Sequence, residues 1–464
     1  DLGAFMCPSY EATRDEKDVT RGRARVLQDV ARGGALAWDS PEVLDSLDLC
    51  LACKACSRDC PTGIDVARYR SEALYRAYRG KRRPVAHYAL GRLPLWARAV
   101  TKVPLVARIA NAVMRVGPLR RLAFRLVGVD PRRAMPGFET RRFSRSEEAR
   151  SVRKEARSLR AASRKSRKKV LRGLPDEGRG SAPERGMALA RTSVLAGKST
   201  AGESDAKPRY VALWADSFSE TLDARGARAA VSVLQEAGYT VLLPPDEACC
   251  GLTWITTGQL DAAKRKLNSL LGALAPFAAN GIPIVGVEPS CTAVLRSDME
   301  DLLDDDPRVA LVKEMTFTLA ELLSAPKPFG PGESWSMPDL TGLEVVAQPH
   351  CHHYSVMGWA ADEALLLSAG AELTKVTGCC GLAGNFGMEK GHYDVSARIA
   401  GARLLPALER ANPDAVFLAD GFSCRTQAEQ LSVSRGIHLA ELIRDGMAVQ
   451  RHMSDEGRIP ARSR

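Results

Sequence analysis

Apolar positions change their rhythm along the chain. Between residues 208 and 325, compact apolar runs, "RYVALWAD", "TVLLPP" and "IPIVGVEPSC", alternate with helical stretches such as "LDARGARAAVSVLQEAG". Short apolar runs bounded by turn residues predict buried strands, and the alternation predicts a β-α-β-α layer structure. After a Pro-rich break at 326–338 the rhythm returns over 340–452, with "LEVVAQPHC", "LTKVTGCC" and "AVFLADGFSC" as strands. The first eighty-three residues read differently, as short helices. Ser40-Pro41-Glu42 marks a helix start, with Ser40 as cap and Pro41 in the first turn. The following "EVLDSLDLCLAC" is a helix that delivers Cys50. Residues 84–140 form a helical connector in which Pro94, Pro104 and Pro118 cut short apolar groups, interleaved with Arg and Lys, into short helices. Such a surface either packs on the rest of the protein, the simpler reading, or touches a membrane. Residues 141–207 lack an apolar stripe and read as a basic flexible linker.

Composition narrows the class. The chain has 464 residues, 45% hydrophobic and 26% charged, an ordinary balance for about three domains. No apolar run approaches the roughly 18 residues of a membrane span, and no signal peptide is visible. The reading is cytoplasmic, with a peripheral place on the inner membrane face as its variant. The net charge is +11, and the stretch Arg141–Arg172 carries fourteen Lys/Arg against three Glu. With a single aromatic residue, Phe143, in the run and no binding motif interleaved, nucleic-acid binding is set aside. Anionic lipid headgroups or an acidic partner suit the run better.

Twelve cysteines lie in two groups, five in 7–60 and seven in 249–424. Adjacent pairs such as Cys249-Cys250 and Cys379-Cys380 suit a shared metal better than disulfides. Cys50, Cys53, Cys56 and Cys60 have the spacing C-x2-C-x2-C-x3-C-P. Three thiolates of that spacing wrap one 4Fe–4S cluster, and the fourth reaches a second cluster. By the same exchange, Cys7-Pro8 is the remote ligand for the cluster of Cys50, Cys53 and Cys56. Cys60 then reaches a cluster whose other ligands precede Cys7, so a longer natural polypeptide is expected. Arg21, Arg23 and Arg25 either offset the charge of that cluster or lie on a solvated helix face.

The later cysteines repeat with the strands. "ACCGLTW" (Cys249, Cys250) matches "GCCGLAG" (Cys379, Cys380), and Cys291 in "GVEPSC" matches Cys424 in "LADGFSC". A duplicated half-domain explains this. Strand ends on one sheet edge would gather Cys351, Cys379, Cys380 and Cys424, enough for a cluster, with Gly378 and Gly381 turning the backbone. The position matching Cys351 in the first unit falls near Asp216. Cys249, Cys250 and Cys291 would there hold zinc, a second cluster or nothing. His350, His352 and His353 flank Cys351 and are candidates for proton handling beside it. Asn385, Glu389, Lys390 and His392 either line the same cavity or form a helix cap and its first turn.

Together "MCPSYEATRDEKDVTRGRA", "LDLCLACKACSRDCP", "VGVEPSC", "TGCCGLAGNFGMEKGHYD" and "LADGFSCRTQ" resemble the iron–sulfur region of fused FAD-linked D-2-hydroxyacid oxidases. The second half is similar to the cysteine-rich CCG domains of glycolate oxidase iron–sulfur subunits, anaerobic glycerol-3-phosphate dehydrogenase and heterodisulfide reductase. The resemblance implies a multidomain chain: an α-helical ferredoxin-type domain at 1–83, then a duplicated α/β (CCG) pair at 208–325 and 340–452. It implies an electron-transfer module that relays electrons from FAD, carried on a flavin domain or subunit, to a quinone or other acceptor. The acid oxidised would be of the lactate, glycolate or 2-hydroxyglutarate type. A thiol/disulfide redox protein like heterodisulfide reductase is the alternative. The chain departs from the fullest CCG pattern, because Glu288 and Gly421 stand where Cys291 and Cys424 would have a C-x2-C partner. The number of clusters stays open.

Overall fold

The structure is a computed structural model and describes residues 7–158, 208–244 and 248–456. Its N-terminal part is helical, with helices Pro8–Thr13, Thr20–Ala31, Pro41–Asp48, Ala55–Asp59 and Val66–Ala77. Val30, Val43, Leu47 and Ala73 form its small core. Pro41 occupies the first turn as expected, but Ser40 makes no side-chain bond to the helix. Its hydroxyl instead accepts from the Ala37 N–H, closing the turn before the helix. Asp65 is a working cap, accepting from the N–H groups of Ala67 and Arg68.

Two small parallel sheets follow. In the first, β1 (Arg209–Trp214), β2 (Tyr239–Leu242), β3 (Ile284–Gly286) and β4 (Thr316–Phe317) lie in the order β2-β1-β3-β4. In the second, β5 (Glu344–Ala347), β6 (Glu372–Lys375) and β7 (Val416–Leu418) lie in the order β6-β5-β7. All pairings are parallel. Parallel strands need crossovers, so every loop that leaves a strand's carboxyl end emerges on one edge of its sheet. That edge is where the later cysteines fall. One core runs through both sheets, from Val211 and Leu213 to Val345 and Ala347, and the helix Leu439–Glu456 joins it through Leu439, Ala440 and Ile443. β6 carries exposed Glu372, Thr374 and Lys375, as an edge strand does.

Two expectations are corrected. The basic stretch is not a linker from residue 141 onward. Phe143, Ala149 and Val152 are buried in the core of the sheets, and residues 147–158 are helical. Three well-placed apolar side chains anchor a charged segment whose long basic side chains reach solvent. Ser144 adds bonds from its N–H and hydroxyl to the buried Glu220 carboxylate. The remainder of the linker expectation, 159–207, lies outside the described residues.

The connector also departs from simple packing. Pro94, Pro104 and Pro118 do sit in the first turns of helices Leu93–Val100, Pro104–Arg115 and Gly117–Val127. Yet only Pro94, Ala97, Ala107 and Phe124 of these helices are buried. Phe124 and a few small residues hold the helices in place and leave most of the larger side chains outside. No helix among the described residues is long and apolar enough to cross a membrane.

Candidate metal centres

The loop from Cys50 to Cys56 winds around a cavity that Cys7, Cys50, Cys53 and Cys56 line together. Ala52 and Lys54 hold left-handed backbone (φ 53° and 60°), as does Cys7 (φ 50°). Each such residue costs about 1–3 kcal/mol, and the strain persists because it turns sulfurs inward. Backbone N–H groups point at those sulfurs: Thr20 donates to Cys7 Sγ at 3.2 Å and Val66 to Cys56 Sγ at 3.3 Å. Burial raises the thiol pKa of Cys7 and Cys53, and that of Cys56 to about 11. Such thiols ionise only with a cation to stabilise them, and a coordinated metal does this. Cys60 stands apart from the cavity, half-buried, with its sulfur 3.1 Å from the Thr62 hydroxyl. That hydroxyl and nearby N–H groups lower its pKa to about 7.

Two buried cations face this cavity. Arg23 bonds to the Ser46 carbonyl and the Ser9 hydroxyl. Arg21 pairs with Glu16 at the surface, and Arg25 is exposed. So one arginine of the three reaches the thiols. Lys54, inside the cysteine motif, ion-pairs with Asp65 at 2.7 Å and Asp298 at 3.0 Å. Burial works against its charge, but the two carboxylates outweigh it. Cysteine spacing alone does not mark Lys54, although a lysine between two ligating cysteines is itself a signal.

Beyond the second sheet, Cys351, Cys379, Cys380 and Cys424 form a continuous chain of thiol contacts. Cys379 meets Cys351 and Cys380, and Cys380 meets Cys424. The cysteines lie four to six residues past the strands rather than at their last residues, and Cys424 sits in the first turn of helix Phe422–Leu431. The N–H groups of that turn favour negative charge. Gly378 (φ 90°) and Gly381 (φ 88°) turn the loop, and a Cβ on Gly381 would sit 2.3 Å from the Ser396 carbonyl oxygen. The Gly381 N–H donates to Cys379 Sγ at 3.3 Å. Hydrogen bonds from Cys379 and Cys424 lower the pKa of Cys380. Arg133, fully buried, holds this loop by bonds to the Gly387 carbonyl, Gln427 and Ser396.

Behind the first sheet the set is thinner. Cys250 Sγ lies 3.2 Å from Cys291 Sγ, and Cys249 contacts Cys250 and the Ser217 hydroxyl. Ser217, not Asp216, therefore takes the place beside Cys249 that Cys351 takes beside Cys379. Asp216 is occupied as a helix cap, accepting from the N–H groups of Phe218 and Ser219 and the Ser219 hydroxyl. A tetrahedral zinc site with bonds near 2.3 Å needs sulfurs about 3.8 Å apart. Among the described residues, the one His/Cys/Asp/Glu group with ligand atoms all within 4.8 Å is His353, Asp362 and Asp420.

The histidines take separate duties. His350 Nδ1 accepts from the His352 N–H, and burial drives its pKa down to about 3, so it is neutral. His352 Nε2 donates to the Ala52 carbonyl at 2.8 Å. His353 is paired with Asp362 at 3.3 Å, deep in the protein.

The His352–Ala52 bond joins the two four-thiol sets. Cys53 packs with Leu51 and Ala55 against Cys351 and Cys379, and the Ser355 hydroxyl donates to the Cys53 carbonyl. Beside Cys351 opens a cavity of about 90 Å³ with mostly apolar walls, including Leu93, Phe218, Leu252 and Phe422. Glu288 and His350 supply polar edges. Burial, with the Asp216 charge, raises the Glu288 carboxyl to about 7. Of the residues following the second Cys pair, Asn385 lines this cavity. Glu389, Lys390 and His392 line another hollow, where His392 bonds to Asp48 at 2.9 Å.

Residues 4–64 match the 4Fe-4S dicluster domain family, and residues 219–296 match the cysteine-rich domain family. The chain is 24% identical to D-2-hydroxyglutarate dehydrogenase of Pseudomonas putida, over 96% of this chain and 42% of that protein. It is 24% identical to the probable glycolate oxidase iron-sulfur subunit of Bacillus subtilis, over 94% of this chain and 90% of that one. A subunit of the anaerobic glycerol-3-phosphate dehydrogenase of Escherichia coli is 29% identical over 47% of this chain and 54% of its own length. The chain thus spans about two fifths of the D-2-hydroxyglutarate dehydrogenases it matches. The relatives are oxidoreductases or subunits of them.

Proposed function

We propose that the chain is the iron–sulfur electron-transfer module of a flavin-dependent D-2-hydroxyacid dehydrogenase. Cys7, Cys50, Cys53 and Cys56 would hold one 4Fe–4S cluster, and Cys351, Cys379, Cys380 and Cys424 a second. The observation that carries this is the contact of the two sets through Cys53 and Cys351. A structural metal protein has no need to seat two such sites side by side. When bound, a 4Fe–4S cluster supplies reversible one-electron chemistry.

The residues present fit that group. Both sets offer buried thiols, inward N–H donors and loops held open by left-handed backbone. Lys54 and Arg23 offset negative charge at the first set, which favours the reduced state. His352 and Ser355 fix the Cys50–Cys56 loop against the second site, and the apolar packing keeps water out. We read residues 1–83 as the ferredoxin-type domain and 208–325 with 340–452 as a duplicated pair, because each sheet places its first strand centrally and its thiols past the carboxyl edge. The thinner first set, with Ser217 in place of a fourth thiol, is read as vestigial. FAD would reside on another domain or subunit, which oxidises the acid. The apolar walls beside Cys351 favour a hydrophobic acceptor such as a quinone.

Anaerobic reconstitution tests the assignment. The wild type should hold about eight irons per chain, and Cys50→Ser or Cys379→Ser about four each. Cys249→Ser should leave iron unchanged. Iron lost with Cys249→Ser but retained with Cys379→Ser would place the second cluster behind the wrong sheet.

A further inference from the structure

The three connector helices carry an unusual surface. Of the eighteen large hydrophobic side chains exposed among the described residues, eleven fall between Leu95 and Leu126. Trp96 (54% exposed), Leu105 (62%), Ile109 (54%), Leu122 (57%) and Leu126 (71%) are the most open of them. Scattered exposed apolar residues are normal, but such a concentration on consecutive helices marks a surface meant to be covered.

The charges say by what. From residue 84 to 129 the chain contains no Asp or Glu, and it contains eight Lys or Arg. Lys102, Arg108, Arg115, Arg121 and Arg125 are exposed on or beside the same helices as the apolar side chains. Helices Pro104–Arg115 and Gly117–Val127 have 12 and 11 residues, well short of the roughly 20 needed to span a bilayer. They are joined through Val116 alone, whose extended backbone separates them. Short amphipathic helices with arginines flanking an apolar stripe, and a tryptophan at its margin, lie in the headgroup region of a membrane. A protein partner's interface would be expected to bring some anions of its own, and this face offers cations alone.

We propose that helices Leu93–Val100, Pro104–Arg115 and Gly117–Val127 form a docking surface for an anionic lipid bilayer. The apolar side chains enter the headgroup boundary and the arginines meet lipid phosphates. The position has a consequence for the proposed function. The helix that sends Leu95 and Trp96 outward places Leu93 in the wall of the apolar cavity beside Cys351. A docked bilayer therefore lies next to that cavity, where a lipid-soluble acceptor would enter.

Co-sedimentation of the full chain with vesicles tests the surface independently of electron transfer. Vesicles of phosphatidylcholine with about one third phosphatidylglycerol should bind at least about tenfold more protein than phosphatidylcholine alone, and high salt should reverse most of the difference. The triple variant Leu105→Glu, Ile109→Glu and Leu122→Glu should abolish binding, with circular dichroism and iron content unchanged because these positions are exposed. The variant Arg108→Gln, Arg115→Gln and Arg121→Gln should lower anionic binding to the neutral-vesicle level. No binding to either vesicle, or undiminished binding by both variants, overturns the proposal. So does a wild-type dimer that ignores vesicles and becomes monomeric in the apolar triple variant, because the face would then cover a second copy.

Discussion

Lys54 concentrates the energetic problem of the first site in one side chain. Its ammonium is buried, and its two partners come from different parts of the fold: Asp65 from its own domain and Asp298 from behind the first sheet. A buried pair adds little against an apolar replacement of similar shape, but removing one partner alone leaves charges stranded. Lys54→Ala would leave two buried carboxylates facing each other. It should cost about 3–5 kcal/mol of stability, read as a lower denaturant midpoint. Lys54→Arg keeps the charge and should cost less. If the site is a cluster, Lys54→Ala should also lower its reduction potential, because a nearby positive charge is lost. A variant that melts like the wild type would show the ion pairs to be idle. At this scale the cysteine spacing is legible because ligands for one metal must lie close in sequence or at strand ends. Lys54 is less so, since its reason for existing, Asp298, stands 244 positions away. Spacing points to Asp216 beside Cys249, yet Ser217 stands there, because capping geometry decides which of two neighbours turns toward a thiol.

Among elements, one polar joint between the two sheets is Asp223 with Arg225 and Arg425. Asp223 precedes helix Arg225–Glu236 and accepts from Arg225 at 2.9 Å, while Arg425 of helix Phe422–Leu431 reaches it at 3.2 Å. Burial pushes this carboxyl up, but the bonds from Arg225 and the charge of Arg425 hold it down at about 2. A carboxyl depressed in the folded state contributes stability that is present above its unfolded pKa near 4 and lost as pH falls toward 2. The contribution is about 2 kcal/mol. Asp223→Asn should therefore lose that much at pH 7 and show a flatter stability curve than the wild type between pH 4 and 2. Parallel slopes for the two proteins would remove Asp223 from the account. The strands themselves are readable, since apolar runs such as "LEVVA" can bury both faces only inside a sheet. The anchoring of residues 143–158 is not, because Phe143, Ala149 and Val152 are spaced too widely to show against fourteen basic residues.

At the scale of the molecule, the question is whether the N-terminal part and the sheets unfold separately. Their sequence signals are independent, and the matched families cover them as separate domains. The contacts argue otherwise. Arg70 bonds to the Thr256 carbonyl, and Arg83 to the carbonyls of Thr257 and Gly258. His352 holds the Ala52 carbonyl, and Lys54 holds Asp298. These joints converge from both sheets on the Cys50–Cys56 loop, on helix Val66–Ala77 and on Arg83 beyond it, so opening either part strips polar groups of buried partners in the other. Each such group left unpaired costs about 1–3 kcal/mol. The wild type should therefore melt in one calorimetric transition whose van't Hoff and calorimetric enthalpies agree. Combining Arg83→Ala with His352→Ala removes two of the joints while leaving both cores intact. That variant should split the transition, with the N-terminal part melting first because its core, Val30, Val43, Leu47 and Ala73, is the smaller. Two transitions already present in the wild type would mean that the domains touch without being coupled, and the alignment of the two thiol sets would then have to rest on the Cys53–Cys351 packing alone.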